Sequence, residues 1–250
     1  VGCKGCKNDC PTGVDLAKLK AEVKHQHHQE EGSSLRERMF AQIDNAAKLG
    51  SKLAPVSNWA AEVPGARAVM DRLFGIAPER ELPSFSRNTL EDWMATHDPA
   101  VSANDATHNV LLFPDTYTNY VTPEVGRAAV RTLEAAGVHV RLADNVAPSG
   151  RAAFSGGFLD LARGRAARNV ETLAPYVDEG WSVVFTEPSD AVMFQDEYAD
   201  LLDHDAVTEV GAASYGVMEF LDVYRLDDAL PVQGRDDATG AGDAGAPGKA

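Results

Sequence analysis

Apolar positions change their period along this chain. Val14, Leu16, Leu19 and Val23 recur roughly at helical spacing, with Lys18, Lys20 and Lys24 filling other faces. Leu35, Met39, Phe40, Ile43 and Leu49 repeat the pattern. The spacing predicts two helices. Pro11-Thr12-Gly13 supplies the turn before the first; Ser34 and Glu37 stand as a capping box at the start of the second, and Gly50 is expected to stop it. The apolar stripe of the second helix is expected to pack on the first. Residues 53–104 hold several prolines, three short amphipathic stretches and the aromatics Trp59, Phe74, Phe85 and Trp93, the pattern of helical packing plus a wrapping linker.

From Asn109 strands and helices alternate. The apolar run Val110 to Phe113, a helical pattern from Pro123 to Ala136 and the run Val138 to Leu142 make a βαβ start. A long helix is predicted from about Phe158 to Val177, a strand over Ser182 to Thr186 ending at Glu187-Pro188, and two further helices between Gln195 and Tyr224. The fold class expected is α+β overall: a helical N-terminal segment, then an α/β domain with a mostly parallel sheet. The expected division is 1–52, a helical cysteine-bearing segment; 53–104, a helical connector; 105–230, the α/β domain; and 231–250, a tail rich in Gly, Asp and Ala with almost nothing to bury, expected to be disordered.

Charge sharpens this division. Residues 1–52 carry seven Lys and two Arg against seven acids, a net of +2, while the whole chain stands at −15. Past Lys52 the one lysine is Lys249, a balance that resembles cytoplasmic proteins of salt-loving microbes, although an ordinary acidic protein kept soluble by its charge reads the same way. No basic face is visible, which argues against nucleic acid as a partner. The 44% hydrophobic content is ordinary for a globular protein, and no apolar run is long enough for a membrane span or preceded by a charged leader.

All three cysteines, Cys3, Cys6 and Cys10, fall in the first ten residues, too close together to frame the chain with disulfides. Cys3-Lys4-Gly5-Cys6-Lys7-Asn8-Asp9-Cys10-Pro11 has the spacing C-x2-C-x3-C-P, the last three quarters of the C-x2-C-x2-C-x3-C-P run that holds a [4Fe–4S] cluster in ferredoxins. The run's first cysteine is expected one residue before Val1. Two-residue loops let thiolates converge on the irons, and the N–H groups of small residues such as Gly5 can bond cluster sulfurs and tune the potential. In a two-cluster ferredoxin the cysteine before proline serves the neighbouring cluster, so Cys3 and Cys6 would share one cubane and Cys10 would ligate the other. A zinc knuckle also uses C-x2-C but needs a second pair of ligands, for which His25, His27 and His28 are candidates. Three histidines late in an amphipathic helix equally suit the helix dipole and solvent. Trp59, Trp93, Tyr117 and Tyr120 carry no assigned role.

At this point the sequence resembles a known family, the iron–sulfur half of FAD-linked oxidases, a ferredoxin joined to a cysteine-rich (CCG) domain, as in D-lactate dehydrogenase and glycolate-oxidase-like proteins. The resemblance rests on CKGCKNDCPTGVDLAKLKAE, on HQHHQEEGSSLRERMFAQIDNAAKLGSKLAPVSNW, on LFPDTYTNYVTPEVGRAAVRTLEAAGVHV, on GRAAFSGGFLDLARGRAARNVETLAPYV and on TEPSDAVMFQDEYADLL. It implies a relay role: FAD, on a missing upstream part or another subunit, oxidises a 2-hydroxy acid, and the iron–sulfur half, with Cys3, Cys6 and Cys10 as its cluster ligands, passes electrons towards a quinone or cytochrome acceptor. It implies a cytoplasmic location, with peripheral membrane association left open. No flavin module is recognisable here, so the fragment alone is not expected to be catalytic.

The sequence departs from the family at two turns. Cys-Cys-Gly-Arg-Pro stands here as Pro148-Ser149-Gly150-Arg151-Ala152, and Glu-Pro-Ser-Cys as Glu187-Pro188-Ser189-Asp190, while the second cysteine-rich repeat is absent. The α/β domain is therefore expected to hold no cluster and to act as a docking platform. Two other readings stay open: a stand-alone iron–sulfur subunit of a glycerol-3-phosphate or lactate-oxidising complex, and a non-redox interaction scaffold. Asp115 to Tyr120, Gly150, Ser155 and Gly156 are expected at the carboxyl ends of the strands, where open α/β sheets place their sites; glycine-containing loops that merely turn the chain would read the same way.

Overall fold

A computed structural model describes residues 10–11, 13–63, 65–226 and 230. Cys3, Cys6 and the tail from residue 231 lie outside these described residues. Among the described residues Asp15 starts the first helix, α1 (Leu16–Glu31), by accepting from the N–H groups of Ala17 and Lys18. The Ser34–Glu37 capping box forms as expected and opens α2 (Leu35–Ala41). The single second helix of the sequence reading is broken at Gln42, and its continuation α3 (Ile43–Lys52) runs straight through Gly50. Gly50 does not stop this helix: it makes room for a ring, since a Cβ there would run into the Phe85 side chain. Three short helices follow, α4 (Val56–Glu62), α5 (Ala66–Phe74) and α6 (Leu90–Met94).

The α/β part then runs β1 (His108–Leu112), α7 (Thr116–Tyr120), α8 (Pro123–Ala135), β2 (Val138–Leu142), α9 (Arg151–Gly156), α10 (Leu159–Asp178) and β3 (Ser182–Phe185). Next come α11 (Pro188–Val192), a π-turn over Met193–Glu197, α12 (Tyr198–Leu201), α13 (Asp205–Ala212), β4 (Ser214–Gly216) and α14 (Val217–Val223). The sheet has the order β2-β1-β3-β4, and every pairing is parallel, with Val110 opposite Val140 on one side and Ser182 on the other.

Side chains alternate across the sheet as the pleat requires. Leu111, Phe113, Val183 and Phe185 face α10 and the 188–212 helices, where Leu173, Phe194, Tyr198 and Val210 are buried. Val110, Leu112, Val138, Val140 and Val184 face α6, α8 and α14 through Leu90, Leu133 and Phe220. The domain is a three-layer α/β/α unit, which fits the α+β, mostly parallel reading of the sequence.

The helix α1 is mounted the opposite way to its pattern. Its inward face is Ala21, Lys24, His25 and His28, packed against α9 and α10, whereas Leu16, Leu19 and Val23 are more than half exposed. The apolar stripe of α2 and α3 accordingly does not cover it: α2 packs on α9 and α5, and α3 on α7.

Candidate functional site

Connections leave β1 and β3 in opposite directions, the first through α8 to β2 and the second through the 188–212 helices to β4. Such a reversal opens a crevice beyond the carboxyl ends of the two strands. The loops after β1, β2 and β3 meet there. Asp115, which follows β1, accepts from the N–H groups of Tyr117 and Thr118, both at 2.9 Å, and its other oxygen accepts from Thr186 Oγ1 at 2.7 Å. Thr118 and Thr186 share a hydroxyl contact of 2.8 Å, which ties the ends of β1 and β3 together.

The loop after β2 delivers Ser149, whose Oγ donates to Asp190 Oδ1 at 2.5 Å; both residues are buried. These are two of the three cysteine positions of the family pattern that the sequence replaces, Pro148 being the third, and the fold brings them into contact. Gly150 sits at φ 86°, a left-handed conformation that turns the chain into α9 directly after Ser149. Arg151 follows, and its Nη1 donates to both oxygens of Glu197, at 2.6 and 2.8 Å. Glu197 is completely buried. Tyr198 Oη donates to the Ser149 carbonyl and accepts from Asn169 Nδ2, both at 2.8 Å, while Asn169 Oδ1 takes the Ala147 N–H at 2.7 Å. The 147–151 loop is thereby held by side chains from α10 and from the 193–201 stretch.

Burial, reinforced by the neighbouring Asp115 and Glu187, pushes the Asp190 carboxyl up to about 7, against the opposing hydrogen bond from Ser149 and the charge of Arg151. Burial also lowers the Arg151 guanidinium from its ordinary value and raises the Tyr198 phenol. At neutral pH Asp190 is thus poised between acid and carboxylate.

This polar floor closes one side of a cavity of about 1640 Å³; the rest of its lining comes from α2, α3, α4 and α5 with the 75–85 segment, and includes Arg36, Arg67 and Arg80. Arg165 Nη2 donates to Asp44 Oδ1 at 2.8 Å, an almost buried pair that fixes α3 to α10 and so holds wall and floor together.

Several expected positions reach this crevice: Asp115, Thr116 and Tyr117 line it, as do Gly150, Ser155 and Gly156. Asn119 and Tyr120 do not. Asn119 is buried against α6, accepting from the Glu91 N–H, and the Tyr120 carbonyl accepts from Ser86. Glu197, Tyr198, Asn169 and Thr186 escaped the sequence reading. Asn169 carried a signal, because it occupies a core-facing position in the Ala162, Ala166, Val170, Leu173 series of a long helix. A polar residue there needs a partner.

Of the cysteine run, Cys10 lies within the described residues; it is partly buried, and its carbonyl accepts from the Gly13 N–H at 3.0 Å in the turn before α1. The donor set Cys3, Cys6 and Cys10 is soft and thiolate-rich, which fits an iron–sulfur cluster, whereas the α/β floor offers no thiol at all. Ser149 and Asp190 satisfy each other, and among the described residues no group of three or more His, Cys, Asp or Glu is arranged to hold a metal ion. The histidines of α1 are likewise not gathered. His25 Nδ1 donates to the Gly157 carbonyl at 3.2 Å, the His28 ring lies 4.6 Å from that of Phe158, and His27 faces Glu31 on the exposed side. Among the described residues no helix is long and apolar enough to cross a membrane.

Comparison with known proteins agrees with the resemblance read from the sequence. The chain is 29% identical over 175 residues to one of the subunits of the anaerobic glycerol-3-phosphate dehydrogenase of Escherichia coli, covering 69% of this chain and 43% of that protein. It is 24% identical over 207 residues to the D-2-hydroxyglutarate dehydrogenase of the same organism, covering 79% of this chain and 20% of the relative. The corresponding enzyme of Pantoea ananatis is 23% identical over 211 residues, 81% of this chain and 20% of the relative. The chain therefore spans less than half the length of the curated relatives it matches. No family model matches it, and no solved structure does. Its homologues are dehydrogenase polypeptides, the relationship expected of an iron–sulfur and CCG-type region linked to FAD oxidases.

Proposed function

We propose that this chain is the iron–sulfur electron-transfer portion of a flavin-linked dehydrogenase of the 2-hydroxy-acid type, relaying electrons from a flavin domain or subunit to a quinone or cytochrome acceptor. The observation that carries this reading is the C-x2-C-x3-C-P run set directly before α1, on a chain whose relatives are dehydrogenases. Cys3 and Cys6 would share one [4Fe–4S] cluster and Cys10 would ligate its neighbour, and such clusters supply one-electron chemistry when bound. The chain's own contribution is placement. The turn closed by Gly13 and the Asp15 cap lead Cys10 into α1, and α1 is fixed to the α/β unit by Lys24 Nζ on the Ser155 carbonyl at 3.0 Å and by Lys18 on Asp200 at 2.5 Å. The α/β domain, with Ser149 and Asp190 bonded to each other, serves as the docking platform.

A second reading, a separate iron–sulfur subunit of a glycerol-3-phosphate-oxidising complex, is favoured by one observation. The match to the glycerol-3-phosphate dehydrogenase polypeptide has the higher identity, and it covers 43% of that relative against 20% of the D-2-hydroxyglutarate dehydrogenase.

Anaerobic reconstitution of the polypeptide extended upstream of Val1, with iron and sulfide, tests both. The expected result is broad visible charge-transfer absorbance and a reducible cluster signal in paramagnetic resonance, each diminished by Cys10→Ser. A protein that took up zinc alone would overturn the assignment. Co-purification of a flavin on the same polypeptide or on another distinguishes the two readings.

A further inference from the structure

The helical segment ahead of the sheet carries a surface that neither the crevice nor the cysteine run uses. Leu49, Leu53, Val56 and Trp59 are between 54% and 67% exposed, and none of them lines the cavity. Polar neighbours in the same stretch are turned the other way. Ser51 donates to the Ser86 carbonyl, Ser57 donates to the Gly50 carbonyl at 2.6 Å, and Asn58 bonds both backbone groups of Phe85, at 2.8 and 2.9 Å. These bonds fix the rotation of α3 and α4. Hydrogen-bonding side chains point inward and large apolar ones point to water, the reverse of the usual arrangement. Leu49 and Leu53 stand one helical turn apart at the end of α3, as do Val56 and Trp59 on α4, so each pair shares a face.

Charge decides what can cover this strip. From Arg38 to Ala61 the sequence holds three cations, Arg38, Lys48 and Lys52, all exposed, and one acid, Asp44, which is buried and bonded to Arg165. A chain of net charge −15 thus has a stretch that presents no free carboxylate. Acids more than a Debye length away, about 10 Å at 0.1 M salt, are largely screened from it. A second copy fits poorly, because a two-fold pairing of the strip would gather the lysines of both copies with no carboxylate of the stretch to offset them. A lipid surface has the complementary order: anionic headgroups for the lysines, an interfacial zone for the amphipathic indole of Trp59, and acyl chains for Leu49, Leu53 and Val56. Lysine stems can lie along the apolar strip with their ammonium groups among the headgroups.

We propose that the outward face of α3 and α4, formed by Leu49, Leu53, Val56 and Trp59 and flanked by Lys48 and Lys52, is a docking surface for an anionic lipid bilayer. The proposal stands on this surface alone and is independent of the cluster and of the crevice. The helices lie in the headgroup zone and do not cross the bilayer, in keeping with their lengths of ten and seven residues.

The test is flotation of the full chain at about 0.1 M salt with phosphatidylcholine vesicles containing about one-third phosphatidylglycerol, against vesicles of phosphatidylcholine alone. The chain is expected to float with the anionic vesicles and to bind the neutral ones about tenfold more weakly. Tryptophan emission should shift to the blue on binding, and Trp59→Phe should remove the shift while keeping the flotation. Leu53 is exposed, so Leu53→Glu should weaken binding about tenfold with unchanged circular dichroism and melting; Met218→Glu, which adds the same charge on α14, should leave binding unchanged. Lack of flotation, equal affinity for both vesicles, an emission shift that survives Trp59→Phe, or equal loss from Leu53→Glu and Met218→Glu would each overturn the proposal. Sedimentation showing a dimer that Leu53→Glu dissociates would overturn it too, by assigning the strip to a second copy.

Discussion

Replacing Asp190 by asparagine removes one ionisable proton from the crevice while keeping its shape and an oxygen to accept from Ser149 Oγ. The native carboxyl is raised from 3.8 to about 7, chiefly by burial. A folded-state value above the unfolded one means that the folded chain holds its proton more tightly. The stabilisation linked to this group is complete below about 3.8, declines as pH rises and is lost above about 7. At 1.36 kcal/mol per unit, the interval from 3.8 to about 7 corresponds to about 4 kcal/mol, an order-of-magnitude figure. The substituted amide has no charge to desolvate, so Asp190→Asn should match the wild type near pH 4 and exceed it by up to about 4 kcal/mol near pH 8. Urea unfolding followed by far-ultraviolet circular dichroism across that range reads the difference directly, and the titration of groups remote from Asp190 cancels between the two proteins. A stability gap that stayed constant from acid to alkaline pH would show that Asp190 ionises freely in the folded chain and would refute the account of the floor given above.

Two further perturbations probe the frame around this floor. Arg151→Met should destabilise by about 3–5 kcal/mol, because it leaves the wholly buried Glu197 without the guanidinium that neutralises it, while adding Glu197→Leu should restore most of the loss; chemical denaturation of the pair checks both. Gly157→Ala places a Cβ 2.5 Å from Lys24 Cβ at a φ of 82°, so it should loosen the seat of α1 by about 1–3 kcal/mol, visible as faster amide exchange in α1 with the sheet strands unaffected.

Much of the α/β unit was legible because its strands are buried on both faces and read as continuous apolar runs. Val110 to Phe113 and Val138 to Leu142 announced β1 and β2, and Pro123 marked the first turn of α8. The fourth strand left no such mark. Ser214-Tyr215-Gly216 is three residues long, and only its pairing with β3 makes it a strand. Gly50 was misread because a glycine that stops a helix and one that admits a neighbouring ring look alike in sequence; the ring comes from Phe85, far along the chain. The crevice divided in the same way. The turns at Ser149 and Asp190 stood out because they interrupt a recognisable cysteine pattern, whereas Glu197 and Tyr198 lie in a helical stretch and declare themselves only once Arg151 and Ser149 are placed beside them.

The inverted seating of α1, a lysine-rich helix, gives it two faces with opposite responses to ionic strength. Inward, it is held by charge and by carbonyls: Lys18 to Asp196 and Asp200, Lys24 to the Ser155 carbonyl, His25 to that of Gly157. Partly exposed ion pairs of this kind weaken as added electrolyte shortens the Debye length. Outward, Leu16, Leu19 and Val23 offer an apolar strip whose tendency to leave water grows with excluded salts such as sulfate. Concentrated sulfate thus weakens the ion pairs of α1 while strengthening the tendency of its outward strip to leave water. The cysteine run leads into a helix whose inward ion pairs and outward apolar strip answer added electrolyte in opposite senses.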